Sequence, residues 1–105
     1  MKMNLDYSYN KVDDLNLDVV KTKLAMTNQD GGYEWPEDAI NMAIDAYRAF
    51  LKQALKNRFN NIDCILQPEP LADIVWHTHI LFTQKYHQDC NVIFGEYLHH
   101  QPKII

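Results

Sequence analysis

The residue types capable of chemistry are concentrated in the last third of this chain. All five histidines lie between positions 77 and 100, so any imidazole chemistry belongs to that stretch. Asp73 and His77 are spaced i, i+4, which puts both on one face of a helix. Such a pair can chelate one ion. The carboxylate can also hold the imidazole through one ring N–H while the other nitrogen binds a metal or acts as a base. His99 and His100 follow Gly95 closely, so a turn there would bring one of them back onto the same helix. Adjacent side chains in extended backbone point opposite ways, so one faces inward and the other faces solvent.

His77 and His79 pose a geometric problem. At 100° per residue they lie about 200° apart on an ideal helix, and His79 falls on the apolar stripe of Ala72, Val75 and Phe82. His79 joins its neighbour on one ion only if the helix deforms before Leu81. The plainer expectation is a core histidine bonded to a backbone carbonyl where the helix breaks. The candidate metal ligands are therefore Asp73, His77, His79 and His100, with Asp73, His77 and His100 as a two-histidine, one-carboxylate set. That set suits non-haem iron with open positions, or zinc with a water. The spacing matches no standard metal motif, and a buried polar network would use the same residues to pin helices together.

A thiol site is the other chemical option. Cys90 lies three residues after His87, within reach of a thiolate–imidazolium pair. Helical neighbours this close arise by chance, and free cysteines are commonly buried. Trp76 and Tyr86 read as core aromatics with hydrogen-bonded polar tips.

The elements that must position these residues are helical. Leu17, Val20 and Leu24 mark a short amphipathic helix over about 15–26, and Gly31-Gly32 lies in the loop after it. Trp35-Pro36-Glu37-Asp38 is a helix start with Pro36 at the first position. Two adjacent apolar stripes follow, Ala39, Ala43, Ala46, Phe50, Ala54 and Ile40, Ile44, Tyr47, Leu51, Leu55. They predict a central helix to about Asn57, because only a helix covered on a wide face needs so broad a stripe. A short, extended connection over 62–67 leads to Pro70, which starts the next helix, 70–81. Thr83 suits an N-cap for a last helix over 84–94, closed by Gly95. Residues 1–14 are polar with scattered aromatics and read as an arm.

Composition narrows the function classes. A chain of 105 residues is one domain and can bury one core without disulfides or metal. Ten basic against fourteen acidic residues give a net charge of −4, which disfavours nucleic acid. Lys52, Lys56 and Arg58 form the one basic cluster, and the end of a helix accounts for it. No apolar run approaches a membrane span, and the polar first residues lack a signal peptide's apolar stretch. Cys64 and Cys90 form no CxxC pair, so both are expected to be reduced and dispensable for folding in the cytoplasm.

The run Asp73-Ile74-Val75-Trp76-His77-Thr78-His79-Ile80-Leu81 continues with Tyr86, Asp89-Cys90, Phe94-Gly95 and Leu98-His99-His100-Gln101-Pro102. With Trp35, Tyr47, Phe50-Leu51 and Pro68, this pattern resembles the glycine-rich-domain-containing-protein-like family in its small bacterial form. The resemblance covers about residues 33–102 and implies that His100, rather than His99, is the inward histidine. It also implies a helix break near Thr83, where some relatives carry proline. The glycine-rich tail of the larger plant members is absent, with three glycines in all.

The sequence thus predicts one all-α domain over 1–105, a compact irregular bundle of about four helices. Two function classes follow. One is a helical domain that binds zinc or iron through an Asp/His cluster. The other is a non-catalytic protein-interaction module whose Asp/His/Trp motif is a structural hydrogen-bond network. No enzyme activity, substrate or particular protein partner is legible.

Overall fold

The computed structural model describes residues 5–62 and 66–100. It is all-helical, with no strand among the described residues. Five α-helices follow in order: α1 (Leu5–Asp13), α2 (Asp18–Ala25), α3 (Glu37–Phe59), α4 (Pro70–Leu81) and α5 (Thr83–Phe94). A single 3₁₀ turn, Asn28–Asp30, lies between α2 and α3.

The 23-residue α3 is the central element, as its wide apolar stripe requires. Ile40, Ala43, Ile44, Tyr47, Phe50, Leu51, Ala54 and Leu55 are buried along it, against α1, α2 and α4. Pro36 sits one position before the helix, as its cap, rather than at the first helical position. Its extended ψ of 161° explains the difference, because the chain is not yet helical there. Pro70, by contrast, opens α4 as expected.

The fifth helix is the main departure from the sequence reading. Residues 5–13, expected as an arm, form α1, with Val12 fully buried. Polarity misled here, because α1 buries only a narrow face and is fastened by polar groups of α3. The Arg48 guanidinium donates to the carbonyls of Val12, at 2.6 Å, and Leu15, at 3.0 Å. Lys52 pairs with Asp13 at 2.7 Å, which gives that basic residue a partner beyond the helix dipole. Among the described residues, no helix is long and apolar enough to cross a membrane.

The α4–α5 corner positions the chemistry. Phe82, at φ −85° and ψ 72°, leaves helical backbone and separates the two helices. The break therefore falls one residue before Thr83, which is the first residue of α5 rather than its N-cap; the cap is Phe82, which makes no side-chain cap bond. Gly95 closes α5 at φ 75°, in the left-handed region that glycine enters without Cβ strain. The chain then turns back across α4 and α5 as residues 96–100.

Candidate metal centre

Two polar clusters flank α4, and the three candidate-ligand histidines, His77, His79 and His100, divide between them. The first cluster is sealed. His79 lies in the last turn of α4 and is 1% exposed. Its Nδ1 is 2.7 Å from the Tyr47 hydroxyl on α3, and its Nε2 is 2.8 Å from Asp89 Oδ2 on α5. A carboxylate only accepts, so Nε2–H donates to Asp89 and Nδ1 accepts from the Tyr47 hydroxyl. This neutral tautomer satisfies every group. Burial holds the His79 pKa below its ordinary value, against the opposing pull of its Asp89 hydrogen bond and charge. Burial likewise raises the Tyr47 pKa well above the usual phenol range, keeping that hydroxyl a donor. Lys85 meets the same Asp89 oxygen at 3.0 Å and balances its charge.

His79 is thus a core histidine, but its partners are two side chains rather than a backbone carbonyl. With both ring nitrogens committed, it has no atom to offer an ion. The structure separates it from the other candidate ligands for the reason its helical angle suggested.

The second cluster is open. Asp73, in the first turn of α4, accepts from or pairs with His100 Nε2 at 2.8 Å through Oδ1. Its Oδ2 lies 3.9 Å from His77 Nδ1, one helical turn on. The His77 and His100 rings stack at 4.3 Å between centroids. On its other side the His100 ring packs against Trp76 at 4.0 Å. One donor atom from each of Asp73, His77 and His100 lies within 4.8 Å of the other two. His99 is exposed, with its ring against Tyr97, so His100 is the inward member of the pair.

The donor set fits a divalent transition metal. It combines two imidazoles with a carboxylate, the ligand types of open zinc and non-haem iron sites. Two nitrogens on one tetrahedral zinc lie about 3.3 Å apart, from bond lengths near 2.0–2.1 Å. The present separations, from 2.8 Å upward and none above 4.8 Å, bracket that spacing. The His77 side chain is 55% exposed and that of Asp73 35%, so the cluster has a solvent-facing side.

A hydrogen-bonded chain links this cluster to the corner. Trp76 Nε1 donates to the Tyr86 hydroxyl at 2.8 Å, and that hydroxyl donates to the Leu98 carbonyl. Burial raises the Tyr86 pKa, so the group stays protonated and able to donate. Cys90 is buried as a free thiol one turn along α5 from Tyr86. Burial raises its pKa. His87 is exposed and instead approaches Asn91. Among the described residues no contact pairs His87 with Cys90, and burial disfavours the thiolate. Cys64 lies outside the described residues.

Sequence reasoning missed Tyr47 and Asp89 as site-forming residues. A signal existed for each. Tyr47 is the one hydroxyl-bearing residue on the core stripes of α3, and a buried tyrosine needs a partner. Asp89 stands four residues after Lys85 and ten after His79.

Residues 17–105 match the UCP032817-like family, and the chain belongs to that family. This corrects the resemblance to the glycine-rich-domain-containing-protein-like family. The match begins at Leu17, well before the motif-bearing region that carried the resemblance, and includes α2. No curated protein matches the chain. No solved structure matches it.

Proposed function

We propose that this member of the UCP032817-like family binds one divalent transition metal, zinc or iron(II), through Asp73, His77 and His100. The observation that carries the reading is convergence. A carboxylate and two imidazoles, drawn from α4 and from a segment 27 positions away, gather within ligand spacing at a solvent-facing place. A purely structural pair would need only Asp73 and His100. Exposed His77 adds little to packing, yet it presents Nδ1 to the same carboxylate.

Three protein ligands leave a coordination position for water or a substrate atom, the arrangement of catalytic rather than structural zinc. A metal in such a site supplies Lewis acidity and acidifies bound water. Asp73 would hold the charge, and Trp76 would fix the His100 ring against rotation. The buried free thiol of Cys90 accords with a reducing compartment, the cytoplasm.

A second reading is favoured by a different surface. Val19, Met26 and Leu81 are exposed and line one apolar groove with Phe82 beside α2 and the corner. A non-catalytic interaction module would use that face, with Asp73–His100 serving only to fasten the C-terminal segment. Elemental analysis of protein purified without an affinity tag separates the two. Near-stoichiometric zinc or iron that is lost in His77→Ala supports the metal reading. Metal-free protein that also takes up neither ion on dialysis supports the module.

A further inference from the structure

The three candidate ligands do not belong to one rigid element. Asp73 and His77 are fixed on α4, whereas His100 arrives on the segment 96–100, beyond the Gly95 turn. An ion held by all three would close a loop between positions 73 and 100 and tie that segment down. Beneath the segment lies one face of α5. The Tyr86 hydroxyl donates to the Leu98 carbonyl, and Cys90 stands one helical turn on from Tyr86 along the same face. Tyr97 packs edge-on against Tyr86 at 5.2 Å. Cys90 is 3% exposed while this cover is in place.

We infer that the Asp73/His77/His100 cluster is a metal-operated latch on segment 96–100, and that its occupancy sets the access of solutes to the Cys90 thiol. This inference rests on the metal reading above. Without an ion, the segment is held by the Asp73–His100 hydrogen bond, the stacking of His100 on Trp76 and on His77, the Tyr86–Leu98 bond and the exposed Arg58–Glu96 pair. Bonds of this kind, few and near the surface, allow local opening well below the cost of global unfolding. An ion that binds the closed form more tightly than the open one, where His100 is withdrawn, suppresses opening in proportion to that difference.

The test follows the labelling rate of Cys90 by a thiol-reactive disulfide reagent, in full-length protein carrying Cys64→Ser, with and without zinc. Zinc binding is measured in parallel by calorimetry. Zinc well above its dissociation constant should slow labelling by about tenfold or more. His77→Ala keeps the Asp73–His100 bond but loses the ring stacking on His100, so its own metal-free rate is the baseline, and against that baseline the protection by zinc should disappear. His100→Ala should label faster without metal and gain nothing from zinc. His100→Gln serves in its place should the alanine variant fail to fold.

Zinc that binds but leaves the rate unchanged overturns the latch and leaves the metal reading standing. Protection that persists in His77→Ala also overturns it, since the ion would then be acting at the thiol itself. Absence of zinc binding to the parent removes the metal reading and the latch together.

Discussion

His79 and His77 stand two residues apart on one helix and have opposite fates. His79 is sealed between α3 and α5 with both nitrogens committed. His77 faces solvent with its ring stacked on His100. The difference lies in what each imidazole has left over. A histidine whose hydrogen bonds are all satisfied in a dry core is a structural element with a fixed tautomer. A histidine with spare donor capacity at an accessible carboxylate can exchange a proton for an ion. In the proposed reading one motif serves two purposes, and the helical phase between positions 77 and 79 divides them.

The comparison is broken most forcefully at the sealed cluster. His79→Ala removes a fully buried ring and strips partners from Tyr47 and Asp89 at once. It should cost about 2–4 kcal/mol in denaturant unfolding while leaving zinc binding intact. A loss of zinc binding in a variant that remains folded would place His79 back among the ligands.

His100→Ala comes next. Its ring is mostly covered, with a side chain 15% exposed, and it loses both the Asp73 bond and the Trp76 contact. The expected cost is about 1–2 kcal/mol, together with the loss of metal binding. His77→Ala, on the open side, should change stability by less than about 0.5 kcal/mol and still abolish metal binding. That inverse ordering of stability and binding effects is what the two-cluster account requires.

The smallest expected effect is on the pH dependence of stability. Unfolded, His79 takes up a proton near pH 6.5, the ordinary histidine value. Folded, burial holds it neutral to lower pH. Between those two values the unfolded chain binds more protons, so stability rises with pH. The contribution is full above about pH 6.5 and is lost as pH falls through the window below it. Unfolding curves of the parent and His79→Gln should differ in slope within that window and run parallel above it. Identical slopes throughout would mean that His79 titrates alike in the folded and unfolded chain, contradicting the neutral buried ring.

Much of this arrangement was legible in the sequence because it depends on helical phase. The i, i+4 spacing of Asp73 and His77 predicts their shared face. The 200° separation predicts that His79 turns away. Gly95 predicts the reversal that brings His100 back. Partners supplied by other helices were not legible. Nothing local to α4 says that Tyr47 or Asp89 will meet His79, since those contacts depend on how α3 and α5 pack. The N-terminal helix escaped for a related reason. Its polar composition hid the helical spacing of Leu5, Tyr9 and Val12, which pack on the core, and Arg48 and Lys52, far along the chain, hold it in place. Phe82 shows a limit of capping rules, because backbone torsion at that residue breaks the helix and it caps α5 without any side-chain bond.

The central claim is that Asp73, His77 and His100 together hold an ion. Calorimetric titration of zinc into untagged protein, run on the parent and on His77→Ala, tests it most directly. The account predicts one ion per chain for the parent and no measurable binding for His77→Ala, with the unfolding curves of the two metal-free proteins superimposed. Equal binding by both proteins, or none by the parent, would contradict it.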